Sequence, residues 1–416
     1  MKNARASTSF NEIHQIYLFY LIPLFFLIGR ASIDIVITYI GLNFFFKKII
    51  IDKDYSIFDN KIFQTGLFFC CVHILISFFS TNLNVSIFKS LTYLRFIFFF
   101  GATTYFIKSN YFKINYFYYA VGICTLFLNI DIVIQYLLGY DLFGYEPVKN
   151  GINSFRYSGS FGDEFIAGNY IRNFLLIFAI ITIFRSKELY KKYIFEFFLI
   201  FSIIIILITG DRMVFISVLY SFFFIFIFIS KVRSYLLIIG IIIATSVGGI
   251  IIFDKGISDR VVSIQKQLLS KKNDQFNNPH LNLIKQSIEI YKNNKVFGTG
   301  LKTFREACSQ KQNSIKLSYD DAKINYCSNH PHNYYFEFLS ETGFTGLLSF
   351  IIFVISLFYI TGFNKEYSNN QKLSFLCLLV FLFPIATTGS FFTNMTGCYF
   401  WYLVSLTNIN LIDQKR

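Results

Sequence analysis

Apolar stretches long enough to cross a membrane recur along almost the whole chain. A membrane-spanning helix needs about 20 mostly apolar residues, and about twelve such stretches can be recognised. They lie near residues 15–30, 33–48, 63–80, 86–107, 116–137, 165–184, 193–209, 213–230, 234–253, 334–361, 372–388 and 395–412. The first two are the least separated, because Arg30 and Asp34 interrupt a nearly continuous stretch. The pattern predicts an all-α polytopic membrane protein with about 12 transmembrane helices.

Composition and charge agree with this class. Hydrophobic residues make up 54% of the 416 residues and charged residues only 15%, against roughly 25% charged in a soluble domain. The net charge of +14 could indicate nucleic acid, but the basic residues sit mostly in short loops between apolar stretches. That placement follows the positive-inside rule, so we expect both termini in the cytoplasm and no nucleic-acid partner.

One long polar segment, residues 254–333, departs from the short-loop pattern. It divides the chain into transmembrane helices 1–9 in residues 1–253, a large loop, and helices 10–12 in residues 334–416. The alternation of spans predicts that this loop is external, and its basic residues do not contradict this, because long loops are exempt from the positive-inside rule.

The loop has two further features. Cys308 and Cys327 are its only cysteines; in an oxidising periplasm a disulfide between them would contribute on the order of 3 kcal/mol. Four apolar residues at helical spacing predict an amphipathic helix, which either lies on the outer leaflet or packs on the helix bundle. They are Leu281, Ile284, Ile288 and Tyr291.

Five ionisable side chains fall inside the predicted spans, each in the outer half of its helix. A charge in a span costs several kcal/mol and is a functional hypothesis by default. The five indicate either a polar cavity open to the external side or ion pairs that hold the bundle together. They are Arg95, Asp131, Arg172, Glu337 and Glu341.

Two arginines in external loops are candidates for binding phosphate. Arg156 precedes the sixth span, and Arg212 occupies the tight turn between spans seven and eight. Arginine suits this task because its planar guanidinium is permanently charged and donates several hydrogen bonds. For Arg212 the alternative is snorkelling at a helix end.

The sharpest local motif is Asn329-His330-Pro331-His332-Asn333, at the entry to span ten. Pro331 suits the first turn of a helix, with Ser328 or Asn329 as its cap. His332 would then lie at the positive end of the helix, where a diphosphate can bind. The dipole should lower the pKa of His332, so the neutral imidazole could take a proton from an attacking sugar hydroxyl.

Two other interpretations of this motif remain. One histidine could cap the helix while the other forms hydrogen bonds in the loop. Alternatively, Cys327, His330 and His332 could bind a metal, but no fourth ligand follows at zinc-like spacing. We therefore predict neither a metal nor a cofactor.

These residues resemble the bacterial O-antigen ligase and O-antigen polymerase superfamily. The ligase pattern of His-Asn followed by Gly-x-x-Gly is met by His332, Asn333, Gly343 and Gly346. The resemblance covers about residues 85–410 and is best between 195 and 360, and four further segments contribute to it. They are Thr209-Gly210-Asp211-Arg212, Phe297-Gly298-Thr299-Gly300 ahead of Phe304-Arg305, the Ser158–Phe161 stretch, and Pro384 with Gly389-Ser390-Phe391.

The resemblance implies a GT-C-like fold with one large periplasmic loop. It also implies that His332 is catalytic and that Arg212 binds the donor diphosphate. Two departures concern this site: Asp211 replaces the usual Ser, and His280 stands where many members have an Arg. The residues expected to help bind the donor diphosphate or its glycan are Arg156, Arg305, His330, Asn333, Arg172 and Arg95.

The predicted function is that of an inverting, metal-independent glycosyltransferase of lipopolysaccharide biosynthesis in the bacterial inner membrane, with its active site facing the periplasm. It would move a glycan from undecaprenyl diphosphate to lipid A-core, as an O-antigen ligase. The alternative is an O-antigen polymerase that joins lipid-linked repeat units. The rival from another class is a transporter or flippase of lipid-linked sugars. The partners are the lipid-linked glycan, its acceptor and membrane lipid.

Overall fold

A computed structural model gives the fold of this chain. It describes residues 10–149, 155–185, 189–228, 233–253, 279–314, 327–362, 369–384 and 388–407. The predicted loop residues 254–278 and 315–326 therefore lie outside the described residues.

Helices dominate the described residues, as predicted. In chain order they are α1 (Phe10–Tyr20), α2 (Ile22–Ile28), α3 (Arg30–Phe44), α4 (Lys61–Ser77), α5 (Leu83–Lys108), α6 (Ile114–Leu138), α7 (Ala167–Arg185), α8 (Leu189–Thr209), α9 (Arg212–Phe228), α10 (Arg233–Phe253), α11 (Pro279–Asn293), α12 (Phe304–Ser314), α13 (Tyr334–Gly362), α14 (Asn369–Phe381) and α15 (Asn394–Leu406). A π-helix, Phe45–Ile51, continues α3. The described strands, β1 (Val148–Lys149) and β2 (Phe155–Arg156), form a short antiparallel pair.

Three described helices are long and apolar enough to cross a membrane. They are Leu83–Lys108, Asn115–Leu138 and Tyr334–Ile360. A described helix lies within each of the twelve predicted stretches, although several are short, and the exact number of spans stays a prediction. The first stretch is divided at Leu21 into α1 and α2, and the helix of the stretch 372–388 ends at Phe381.

The main core lies where α4, α5, α13 and α15 meet. Helix α4 packs against α5 and α13, and α15 packs against α5. Aromatic side chains fill this space: the rings of Phe338 and Phe350 stack with centroids 4.1 Å apart, and Trp401 and Tyr402 are fully buried. Rings of this size bury large apolar areas and fix the helices against one another.

The amphipathic helix of the long loop, α11, packs against α13. Leu283 and Ile290 form a small core with Phe304 and Cys308. The packing alternative is therefore the observed one, but the buried face is rotated from the predicted one, since Leu281 is 44% exposed. The pattern of apolar residues misses this because the buried face also contains Ser287.

Helix α13 is broken at Gly343, whose φ of 64° lies in the left-handed region. The amides of Phe344 and Thr345 donate to the carbonyls of Lys295 and Val296, at 2.8 and 3.1 Å. A Cβ on Gly343 would lie 2.5 Å from the Val296 carbonyl oxygen. Gly343 thus allows a close contact between a helix and a loop.

On the N-terminal side of Gly343, backbone amides of the same loop donate hydrogen bonds to carbonyls of α13. The amides of Thr299 and Gly300 bond the carbonyls of Ser340 and Glu341, at 3.2 and 2.7 Å. Thr81, in the turn between α4 and α5, donates its amide to the Thr299 carbonyl at 2.9 Å. Segment 295–300 therefore satisfies backbone groups that the broken helix would leave unpaired.

Candidate active site

The first part of α13 presents three polar residues one helical turn apart: Asn333, Glu337 and Glu341. Asn333 caps the helix, because its Oδ1 accepts from the amides of Tyr335 and Phe336 at 3.0 and 3.4 Å. Its Nδ2 donates to the carbonyl of Pro384 at 2.7 Å. The prediction that Ser328 or Asn329 caps the helix is wrong: the chain continues for four more residues before it turns into the helix.

Glu337 and Glu341 each hold a different loop. Both side chains are fully buried. Glu337 accepts from the Ser390 hydroxyl and, at 2.7 Å, from the Phe391 amide. Glu341 accepts from the amides of Lys302 and Phe304, at 2.8 and 3.2 Å. Buried carboxylates need such donors, because an unpaired one would cost several kcal/mol.

Lys302 links the two loops. Its ammonium donates to the Ser390 hydroxyl, and that hydroxyl donates onward to Glu337. Lys302 also has φ 65°, a left-handed conformation that is uncommon outside glycine. The result is one connected set of hydrogen bonds that joins the loop before α12, the first turns of α13 and the loop before α15.

His332 lies directly before the cap and shares the unusual backbone conformation, with φ 57°. Its carbonyl accepts from the Thr388 amide at 2.8 Å. Its Nε2 lies 3.4 Å from the Ser328 hydroxyl. A strained residue of this kind persists only where its surroundings fix it, and such residues are concentrated at functional sites.

Three imidazole rings meet at this point. The ring of His332 lies 4.2 Å from that of His330 and 5.3 Å from that of His280, between ring centroids. The Nε2 of His330 is buried, and no described residue is hydrogen-bonded to it. The structure therefore brings His280, singled out in the sequence as a departure, into direct contact with the predicted catalytic residue.

Burial keeps these imidazoles neutral. It lowers the pKa of His332, and the neighbouring His280 lowers it further. Burial also lowers the pKa of His330 to about 3, with contributions from His332 and the Lys302 ammonium. The direction for His332 agrees with the expectation, but the leading cause is burial rather than the helix dipole.

Arg305 and the disulfide border the histidines. Nη1 of Arg305 donates to the Asn329 side chain at 3.0 Å, and the guanidinium is exposed. Cys308 and Cys327 are joined by a disulfide, with their Cα atoms 5.9 Å apart. The disulfide ties α12 to the segment that leads into His330.

The turn that contains Arg212 begins α9. Asp211 caps this helix, because its Oδ1 accepts from the Val214 amide at 3.3 Å. An aspartate can therefore take the capping role of the serine that it replaces. Gly168, at the start of α7, packs against the same turn: a Cβ there would lie 2.9 Å from Thr209 Oγ1. The side chain of Arg212 lies outside the described ones.

Arg172 lies one turn further along α7. Its Nε and Nη2 donate to the Asn173 side chain at 3.0 and 2.6 Å. The guanidinium also lies beside the Tyr220 phenol and within electrostatic reach of Tyr334, the first residue of α13. Arg172 is thus close to the end of α13 that follows His332.

The other two predicted arginines have local contacts elsewhere. The Arg156 guanidinium lies over the Phe165 ring, 4.6 Å from its centroid. Arg95 forms an ion pair with Asp34 at 2.5 Å. For Arg95 the structure favours the bundle-holding alternative over a role in glycan binding.

The buried acids likewise hold loops rather than line an open cavity. Asp131 accepts from the amides of Leu142 and Ser160, at 3.0 and 2.6 Å. Within the described residues, no group of three His, Cys, Asp or Glu side chains is arranged to hold a metal ion. Cys327 in particular is in the disulfide, so it is not available as a ligand.

No role for Lys302 or Ser390 was predicted from the sequence. Lys302 is one of many lysines in a polar loop, and Ser390 was noted only within the segment Gly389-Ser390-Phe391 that resembles the family. Their contact joins positions 88 residues apart. No local pattern marks such a pair, although the neighbouring Gly300 and Phe304 belong to a segment that carries the family resemblance.

The model of the O-antigen ligase family matches residues 197–351. This segment contains α9, α11 and α12, the three histidines and the first half of α13. This match confirms, for residues 197–351, the resemblance to the O-antigen ligase superfamily seen in the sequence. A search of curated proteins found no match.

The family match and the apolar helices together indicate the class of protein. They support a multi-pass membrane protein, and the matched family implies a glycosyltransferase-like role in surface-polysaccharide biosynthesis. Lipid-linked sugars and membrane lipid are the partners that this family implies.

Proposed function

We propose that the protein transfers a glycan from undecaprenyl diphosphate to an acceptor sugar at the periplasmic face of the bacterial inner membrane, as an O-antigen ligase. The observation that carries this proposal is the placement of His332. It is held in a left-handed conformation beside two other imidazoles, inside the segment that matches the ligase family.

His332 is proposed to act as the general base. Its neutral imidazole takes the proton from the acceptor hydroxyl as that oxygen attacks the anomeric carbon of the donor sugar. The bond from this carbon to the diphosphate oxygen breaks, so the configuration inverts and lipid diphosphate departs. The lowered pKa of His332 favours this role, because the ring stays unprotonated at neutral pH.

Two arginines are proposed to stabilise the charge on the departing diphosphate. Arg212 is the first candidate, since it begins α9 next to the start of α7. The exposed guanidinium of Arg305, beside Asn329, is the second. Neither role needs a metal ion, because permanently charged guanidinium groups can supply the positive charge.

The proposal is tested by the change His332→Ala. We expect it to abolish glycan transfer in cells while the protein accumulates in the membrane at the normal level, because removal of a general base costs about 100-fold or more. His14→Ala serves as the matched control, since this histidine lies in α1 and its Nε2 bonds the Tyr39 hydroxyl of α3 at 2.7 Å. Full transfer by the His332→Ala variant would disprove the role of His332.

Lipopolysaccharide gels of a deletion strain distinguish ligase from polymerase. Loss of all attached O-chain is expected for the ligase that we propose. A single attached repeat unit would instead indicate the polymerase. Transfer by purified protein in detergent, without a membrane gradient, would exclude the transporter.

A further inference from the structure

We infer that Lys302 is a positioning residue for His332, and that it acts through the loop before α15. This inference rests on the proposed function, in which His332 takes a proton from the acceptor. The contact that carries it is the hydrogen-bonded series from Lys302 through Ser390 to Glu337.

The loop before α15 holds His332 through its backbone. The Thr388 amide donates to the His332 carbonyl at 2.8 Å, two residues before Ser390. The next anchor is the Phe391 amide, which donates to Glu337 at 2.7 Å. Between these two bonds, the Ser390 side chain is fixed by Lys302 on one side and Glu337 on the other.

The backbone conformation of Lys302 favours glycine, so we expect the lysine side chain to have a role that offsets this cost. Lysine at φ 65° is strained, and glycine would occupy this position at lower cost. The amide of Lys302 is already bonded to Glu341, so the backbone of the turn is fixed without the side chain. What glycine could not supply is the ammonium that reaches Ser390.

Charge explains why a lysine rather than a neutral donor is needed. Glu337 and Glu341 are both fully buried and one turn apart. A cation beside them reduces their mutual repulsion. The same ammonium lies within electrostatic reach of His330, so it also disfavours a proton on the ring next to His332.

The experiment compares Lys302→Gly with Lys302→Arg in purified enzyme, supplied with an undecaprenyl diphosphate-linked glycan and acceptor. Lys302→Gly relieves the backbone and removes the ammonium, so the variant should fold. We expect kcat to fall on the order of 100-fold, as for a misplaced catalytic group, with the KM for the donor unchanged. Lys302→Arg should restore most of kcat, and Ser390→Ala should lower it as Lys302→Gly does.

Lys53→Gly is the matched control. Lys53 is also a lysine in the left-handed region, with φ 50°, but it is exposed in the turn after the π-helix. The same substitution there should leave kcat and KM unchanged. A higher KM for the donor with an unchanged kcat in Lys302→Gly would overturn the inference, because Lys302 would then bind the donor directly.

Hydrogen exchange of segment 388–391 gives a readout that needs no glycan transfer. In Lys302→Gly we expect the Thr388 and Phe391 amides to exchange about tenfold faster, as loss of a stabilising hydrogen bond predicts. Unchanged exchange would overturn the inference. If wild-type protein transfers no glycan, the proposed function fails, and exchange alone then decides whether Lys302 fixes this loop.

Discussion

Two helices of this protein, α6 and α13, each hold two loops through buried polar side chains one turn apart. On α6, Asp131 and Gln135 lie one turn apart and hold two loops: Asp131 binds the Leu142 and Ser160 amides, and Gln135 accepts from Gly159 at 2.9 Å. On α13, Glu337 and Glu341 do the same for the loops before α15 and α12. In both places a buried acid replaces the water that these amides would otherwise bind.

The two helices differ in the residues that lie beside the anchored loops. At α13 a lysine bridges the two loops, and three of the five histidines of the chain lie beside them. At α6 the second acceptor is a neutral amide, which also donates to the Tyr145 carbonyl at 3.1 Å. Buried acids therefore anchor loops in both places, and the added cation and imidazoles distinguish the site that we propose for glycan transfer.

The largest effect is expected for Glu337→Ala. The change leaves the Phe391 amide and the Ser390 hydroxyl without their buried acceptor, so we expect a loss of about 3 kcal/mol in the free energy of unfolding. The loop that bonds His332 is released as well, so transfer per folded molecule should fall on the order of 100-fold. Thermal unfolding in detergent measures the loss of stability, and kcat measures the loss of transfer. An unchanged kcat would contradict the role of Glu337 in holding the loop that bonds His332.

Asp131→Ala should have the same effect on stability without the effect on transfer. It leaves the Leu142 and Ser160 amides unpaired, which again costs about 3 kcal/mol. The rate per folded molecule should stay within about threefold of wild type, because perturbations away from a reacting group leave its geometry intact. A folded Asp131→Ala protein with no transfer would mean that the α6 loops also carry catalytic groups.

The smallest effect is expected from mild acid. Burial lowers the pKa of His332, so the ring keeps its proton-accepting form below the ordinary imidazole pKa of about 6.5. The decline in transfer rate on acidification should therefore have its midpoint below about pH 6.5. An inflection in kcat at or above about pH 6.5 would contradict the neutral-base role.

The free energy of unfolding should also decrease in acid, because His330 binds a proton more readily in the unfolded chain. His330, with its pKa lowered to about 3 by burial, stays neutral in the folded protein. The unfolded chain takes up that proton below about pH 6.5, so the contribution to stability is full above this pH and is lost as the pH falls toward the folded pKa. Thermal unfolding at several pH values measures this.

The helices and the histidine site could be predicted because their signals are local. Apolar stretches identify α5, α6 and α13, and His332 lies in a short motif at a helix entry. The cost of burying charge also marked Glu337 and Glu341 correctly as exceptional. Their partners could not be predicted, because Ser390 reaches Glu337 across 53 residues and Lys302 reaches Ser390 across 88.

The same limit explains the incorrect prediction of the helix cap. Asn333 rather than Ser328 or Asn329 caps α13, since the loop before α15 holds His332 in place and delays the start of the helix. The break at Gly343, which segment 295–300 enters, was likewise not predicted. Both features depend on chain segments that meet only after folding.

The break at Gly343 has a consequence for how this region tolerates sequence change. The four hydrogen bonds between segment 295–300 and the broken helix join backbone to backbone. The side chains of Lys295 and Val296 are exposed, so other residues at these two positions would leave the hydrogen bonds intact. Gly298 and Gly343 cannot be replaced in this way, because a methyl group on either would collide with the opposite backbone at 2.4 and 2.5 Å.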